Sequence, residues 1–336
     1  MRKSGIFILG ALLSFAFILG NNNSVKADAS EKIVYVGGQS AGFSLKTGQV
    51  QAIGFCEVIT DGGVESPAAR AGIRAGDYIS KISGVLVSSV ENLNEIVDKS
   101  KGKELSVEVD RKGENVCLKI RPVKDKVSQR YKIGVLVRDC ISGIGTITYI
   151  DPQNGQFAAL GHSVCNENKQ EMHINGGRVY ACSIVSINKG VRGKAGELHG
   201  MFLSDKVFGE AKKLCSCGIF GEIGREFETK SLKSAVASSA EVKPGNAYIY
   251  STVNGVCPQK YEIEIVKVDK KNKENKNYVI KITDEDLISE TGGIVQGMSG
   301  SPIIQEDKLV GAVTHVFLND PTRGYGIDIE TMLQAE

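Results

Sequence analysis

Gly297-Met298-Ser299-Gly300-Ser301-Pro302 is followed by two apolar runs, Ile303-Ile304-Gln305 and Lys308-Leu309-Val310-Gly311-Ala312-Val313. A serine between two glycines suits a tight turn, because glycine adopts backbone angles that other residues avoid. Such a turn can aim two N–H groups at one point, where the oxyanion of an acyl-transfer reaction gathers. The two apolar runs, separated by the charged pair Glu306-Asp307, read as a hairpin that holds the turn rigid. A serine hydroxyl is a weak nucleophile and needs a base within hydrogen-bond reach. The candidate base closes the apolar run Phe157-Ala158-Ala159-Leu160-Gly161-His162, which reads as a buried strand. Together the two stretches imply a serine hydrolase built on β-structure.

The 336 residues suggest about two domains. A formal net charge of +2 gives no reason to expect nucleic acid as a partner. Abundant glycine with sparse proline and aromatics fits many strands and turns. The chain starts Met1-Arg2-Lys3, continues with an apolar run from Ile6 to Leu19 and a polar stretch from Asn21 to Lys26, and then reads Ala27-Asp28-Ala29. That is the pattern of a Sec-type export signal over residues 1–29. The apolar run is short for a membrane span, which needs about 20 residues. Cleaved signal and retained anchor both remain open, and either places the remainder outside the cytoplasm. The eight cysteines have irregular spacing, and Cys215-Ser216-Cys217 is too close for a zinc knuckle. An even count in an exported chain permits disulfides, but no bridge or metal is assigned, and no cofactor is expected.

Residues 30–125 read as one small α+β module. Gln39 to Leu45 is a glycine-containing loop entering a strand. Ser66-Pro67-Ala68-Ala69-Arg70-Ala71-Gly72 is a short helix with a serine cap, proline in its first turn and glycine at its end. A second helix is expected from Val90 to Asp98, with Ser88 and Glu91 as its capping box and one apolar face. Leu105, Val107 and Val109, then Val116, Leu118 and Ile120, alternate with polar residues on either side of Lys112-Gly113, which predicts a closing hairpin. The run from Ser66-Pro67-Ala68 through Ala71-Gly72-Ile73 to Gly76-Asp77-Tyr78-Ile79 resembles a bacterial PDZ domain. The resemblance implies a groove between a strand and the second helix where a peptide adds as an extra strand. It also implies that Gly42, Phe43, Ser44 and Leu45 supply the N–H groups that hold a peptide carboxylate.

Residues 126–336 form the second module, entered through a basic linker from Lys124 to Lys132. Strands are expected at Ile133–Val137, Ile144–Ile150, Gln156–Leu160, Val179–Ile187, Ala247–Val253, Tyr261–Val268 and Val279–Ile282. A turn lies at Asp151-Pro152-Gln153-Asn154-Gly155, and Asp269 to Asn277 is a charged surface loop. Lys206 to Arg225 alternates too little to place.

The serine turn and the end of the histidine strand resemble those of chymotrypsin-like proteases. An export signal, a PDZ module and this pair, with Gly292-Gly293-Ile294-Val295-Gln296-Gly297 and Thr314-His315-Val316-Phe317, resemble the stage IV sporulation protein B peptidases. The resemblance implies a mainly β chain, with an N-terminal PDZ domain followed by a chymotrypsin-like double β-barrel. It implies Ser299 as nucleophile, His162 as base, and the N–H groups of Gly297 and Ser299 as oxyanion hole. Asp284 aligns with the family's acid, although it stands only fifteen residues before Ser299. Asp205 and Asp320 are the alternatives to it. His173, His199 and His315 compete with His162, and His315 is the strongest rival. Met298 precedes the serine where trypsin has an aspartate, so a freed N-terminal ammonium has nothing to pair with there. The family's members are exported from the forespore to the space between the spore membranes. There they cleave themselves and a membrane-embedded sporulation regulator. An esterase using the same pair, and a catalytically inactive PDZ-containing scaffold, are the alternative readings.

Overall fold

The strand Ser40–Phe55 organises the molecule, because its two halves belong to different cores. Ala41, Phe43 and Leu45 alternate into one hydrophobic cluster, and Val50 and Ala52 into another. Between them Gly48 takes φ +67, a left-handed angle that lets the strand change direction. Its antiparallel partner is the equally long strand Val135–Ile150, and their register slips between Arg138 and Cys140. The computed structural model describes residues 32–165, 171–224 and 232–336; the signal reading of residues 1–29 lies outside these. Lys32–Glu336 forms one compact unit.

Two closed barrels follow from the pairings. In the first, Ser40–Phe55 pairs with Val135–Ile150, then Gln156–Ala159, Gly218–Ile223, Glu197–Cys215 and Gly177–Asn188 in turn, and the last returns to Ser40–Phe55. In the second, Gly245–Ser251 pairs with Gln259–Val268, Tyr278–Ile282, Asp320–Asp328, Lys308–Phe317 and Pro302–Gln305 in turn, and the last returns to Gly245–Ser251. Closure pairs these strands on both sides within each barrel, whereas residues 135–144 of Val135–Ile150 run beyond the pairing with Gln156–Ala159 and have a strand partner on one side only. Alternating side chains fill each interior: Phe43, Ile147, Phe157 and Phe208 in the first, Ile249, Ile263, Ile280 and Ile303 in the second. The double barrel expected for the protease module is therefore present. The hairpin after the serine turn is present too, and Glu306 (φ 50) and Asp307 (φ 60) make its two-residue turn.

The PDZ module hangs from two strands of the first barrel that run on beyond it. It holds the helix Pro67–Arg70, the strand Tyr78–Ile82, the helix Val90–Lys99 and the hairpin Leu105–Arg111 with Glu114–Ile120. Helix Val90–Lys99 buries Leu93 and Val97 and is capped by Ser89, whose hydroxyl accepts from the Asn92 amide at 3.1 Å, one residue later than the Ser88 expectation. Asp77 is buried, accepts from Arg111 Nε at 2.8 Å and from the Arg74 amide at 2.9 Å, and pairs with the second Arg111 nitrogen at 2.7 Å.

The boundary expected at residue 125/126 is corrected by these pairings. Residues 33–46 belong to the protease: Ile33–Val36 pairs with Lys233–Val236, and residues 40–46 complete the first barrel. Conversely, Ile133 is buried in the PDZ core and Val135 and Val137 pack against it. The PDZ module is thus inserted into the protease domain. Sequence order hid this because the two long strands carry no break at the crossing point apart from Gly48. The stretch left unplaced, Lys206 to Arg225, supplies the end of Glu197–Cys215 and all of Gly218–Ile223.

Candidate active site

The serine turn is clamped from below by the first barrel. Thr146 Oγ1 donates to the Gly297 carbonyl at 2.8 Å, the Thr146 amide to the Ser299 carbonyl at 2.9 Å, and Thr148 Oγ1 to the Gly300 carbonyl at 2.8 Å. Gly300 sits at φ +95, where a Cβ would come within 2.1 Å of the Thr146 carbonyl oxygen, so only glycine fits. Gly297 is also left-handed, at φ +101. With three carbonyls pinned, the amides of Gly297 and Ser299 donate to no acceptor among the described residues, and both residues line the cleft. Two unspent N–H groups beside a serine are what an oxyanion hole requires. Met298 is fully buried in the second-barrel core.

His162 is delivered by a turn at the end of Gln156–Ala159, in which Leu160 (φ 69) and Gly161 (φ 70) are both left-handed. Its Nδ1 lies 2.7 Å from the Ser163 carbonyl oxygen. A carbonyl only accepts, so the neutral ring carries its proton on Nδ1 and leaves the Nε2 lone pair free. Burial pushes the His162 pKa down, partly offset by the Ser163 hydrogen bond, so the ring is the neutral base at neutral pH. The Ser299 hydroxyl donates to the Thr314 carbonyl at 2.8 Å. The next residue, His315, sets its ring 4.9 Å from that of His162, centroid to centroid. Desolvation, then the neighbouring His162 and Lys276, push the His315 pKa down to about 4.

The structure does not bring Asp284 to His162, and its expected place as third member of the triad is corrected. Asp284 is the N-cap of helix Glu285–Thr291: Oδ1 accepts from the Leu287 amide at 2.9 Å and Oδ2 from the Glu262 amide at 3.2 Å. Asp320 is taken by Thr322 and Arg323, and Asp205 is exposed on the strand Glu197–Cys215. The Ser163 carbonyl, a backbone group that composition could not point to, occupies the acid's position at Nδ1. Of the rival histidines, His199 pairs with Asn188 at 2.7 Å and His173 is exposed.

A cleft of about 650 Å³ opens on Ser299, Gly297 and His162 and extends along Val135–Ile150 to Gln51, Tyr78, Lys112 and Arg138 on the PDZ module. The expected carboxylate loop is not there. Gly42, Phe43, Ser44 and Leu45 lie inside a barrel strand, hydrogen-bonded between Val135–Ile150 on one side and Gly177–Asn188 on the other. Their ladder positions are taken, and the Phe43 and Leu45 side chains fill the core. The groove implied beside the second helix is likewise occupied by the chain itself. The Tyr131 amide donates to Asp98 and the Val90 amide to Asp139, both at 2.9 Å, so residues 131–139 run along helix Val90–Lys99.

Residues 129–333 match the SpoIVB peptidase S55 family, and residues 58–111 match the PDZ domain. The chain belongs to the SpoIVB peptidase S55 family. The family is one of peptidases, and Ser299 and His162 line one cleft of this chain. Among curated proteins it is 30% identical over 112 residues to the "Putative zinc metalloprotease LL2128" of Lactococcus lactis subsp. lactis, covering 32% of this chain and 26% of that one. It is 41% identical over 64 residues to the carboxy-terminal-processing protease of Bartonella bacilliformis, covering 18% and 14%. The chain thus spans about a quarter or less of the length of these relatives. Among solved structures, the inactive form of the Rv3671c protease aligns with TM-score 0.34 and 16% identity, covering 57% of this chain and 81% of that one. Human heparin binding protein aligns with TM-score 0.28 and 11% identity, covering 54% and 72%.

Proposed function

We propose that this peptidase is an endopeptidase that, once exported from the forespore, cleaves itself and a membrane-embedded regulator and so starts signalling between compartments in sporulation. The cleft carries this reading: it runs past Ser299 along the first barrel to the PDZ surface, which suits a chain entering at its middle rather than at its end. The family supports sporulation as the setting, and residues 1–29 read as the export signal. In the chemistry, the Ser299 hydroxyl turns from the Thr314 carbonyl to His162 Nε2 and attacks the scissile carbonyl as the imidazole takes its proton. The amides of Gly297 and Ser299 receive the oxyanion, and the imidazolium, held at Nδ1 by Ser163, gives its proton to the leaving amine. Water then releases the acyl-enzyme by the same steps. The resting hydrogen bond to Thr314 gives the site a state in which serine and base are uncoupled. The reading is tested by mixing purified wild-type or Ser299→Ala chain with the membrane regulator and sequencing new N-termini. New termini on both proteins with the wild type alone support it; none, or the same termini with Ser299→Ala, would overturn it.

A further inference from the structure

The cleft changes character along its length. Its lining along the first barrel includes the apolar Phe43, Leu45, Ile144 and Leu160 together with Ser142, and further toward the PDZ module Thr47 and Gln49. At the PDZ end it is lined by Arg138 and Lys112. Arg138 Nε donates to Gln51 Oε1 at 2.9 Å, which orients the guanidinium while its two terminal nitrogens make no hydrogen bond or ion pair among the described residues. Lys112 is exposed, sits in the tight turn of the PDZ hairpin at φ 55, and likewise has no partner there. Among the described residues the one carboxylate lining the cleft, Asp139, already accepts from the Val90 amide. The neighbouring Arg111 is spent on Asp77. Two unpaired cations therefore face the far end of a cleft whose near end is apolar.

We propose that Arg138 and Lys112 form a subsite for acidic side chains of the substrate, about six residues from the bond cut at Ser299. From Arg138 to Ile144, which lines the cleft with Ser299, is six residues, at most about 20 Å at ~3.3 Å per residue because the register slips between Arg138 and Cys140. A substrate lying extended beside that strand spans the same distance with the same number of residues. A guanidinium with both terminal nitrogens free takes a carboxylate through two parallel hydrogen bonds, and the lysine adds a second positive charge. The inserted PDZ module thereby reads substrate charge, in a place other than its family groove, which the chain's own residues 131–139 fill. This deepens the proposed function and rests on Ser299 as the cutting residue.

The test separates binding from cutting. Fluorescent, amidated seventeen-residue peptides with an apolar centre would carry two glutamates, glutamines or lysines six and seven positions from that centre, on one side or the other. They are titrated into the Ser299→Ala chain. The glutamate peptide of one polarity should bind about tenfold more tightly than its glutamine counterpart, and added salt should erase the difference. Arg138→Glu with Lys112→Glu should reverse the preference toward lysine. Arg138→Gln and Lys112→Gln, neutral changes at exposed positions, should each remove part of it. Equal affinity for glutamate and glutamine peptides, or an unchanged glutamate preference in the reversed variant, would overturn the subsite. A glutamine peptide with a free C-terminus binding as well as the glutamate peptide would assign the site to a chain end, which also overturns it. Failure of the Ser299 assignment shows separately, as peptide cutting by the Ser299→Ala chain.

Discussion

The rings of His162 and His315 stand 4.9 Å apart at an interplanar angle of 43°, with His315 directly following the residue whose carbonyl holds the Ser299 hydroxyl. The contact shields His162 from water, and shielding disfavours its charged form. Both pKa values lie below the ordinary histidine value of ~6.5. The base is therefore active above its depressed pKa, and activity falls only as the pH drops below ~6.5. The same sign holds for stability: it is full above ~6.5 and is lost as the pH falls from there toward the lowered folded values. His315→Ala should let water reach His162 and move the acid limb of kcat/KM up toward pH ~6.5, with activity at pH 8 kept within about tenfold. A loss of ~10³ or more at pH 8 would make His315 the base instead.

Asp284→Asn should lose less than about tenfold in kcat/KM, because asparagine caps a helix as well as aspartate does. Asp284→Ala should lower unfolding stability by about 1 kcal/mol, read by urea titration. A rate loss near 10⁴ in the asparagine variant is what a triad acid gives, and it would require the Glu285–Thr291 cap to rearrange in the working enzyme.

Gly300→Ala forces a left-handed alanine and drives its Cβ into the Thr146 carbonyl. The expected result is loss of activity together with a lower Tm. Thr146→Val keeps the shape but removes the hydroxyl held by the Gly297 carbonyl, and should cost about 1–3 kcal/mol for an unpaired buried group. Full activity and stability in Thr146→Val would show that the clamp is not needed to shape the turn.

In the PDZ module, Asp77 is opposed in its ionisation by burial, but the Arg111 hydrogen bonds and the Arg74 amide prevail and hold its pKa below the usual carboxylate range. Arg111→Ala removes the charge partner of this buried carboxylate, leaves it only the Arg74 amide, and should lower stability. Because a depressed carboxylate contributes stability above its unfolded pKa of ~3.9, wild type should lose this advantage as pH falls through that value and below. Urea titrations at pH 7 and pH 3 check this: the gap between wild type and variant should narrow at the lower pH.

Much of the site was legible because chemistry constrains it locally. Gly297, Ser299 and Gly300 announce a turn, Ile303 to Val313 announce its hairpin, and His162 closes a continuous apolar run that reads as a buried strand. What stayed hidden depends on groups without a side-chain signature or on long-range pairing. The Ser163 and Thr314 carbonyls are backbone atoms that any residue would supply. Asp284 is a helix cap and a family-aligned acid in the same one-letter code, and only the geometry separates them. Gly42 to Leu45 read as a loop because glycine and serine favour turns, yet two neighbouring strands held them in a barrel, as tertiary pairing overrides local preference. The insertion of the PDZ module was invisible for the same reason: Ser40–Phe55 and Val135–Ile150 lie some 95 residues apart in sequence yet form one ribbon.

The most direct test of Ser299 and His162 as a working pair is covalent labelling by a fluorophosphonate, followed by intact mass and peptide mapping. Wild type should take one adduct, on Ser299, and Ser299→Ala none. His162→Ala should label slower by ~10³ or more, and the double variant no slower than the slower single, because members of a catalytic unit do not add. An adduct on another residue, or labelling of His162→Ala at the wild-type rate, would contradict the account.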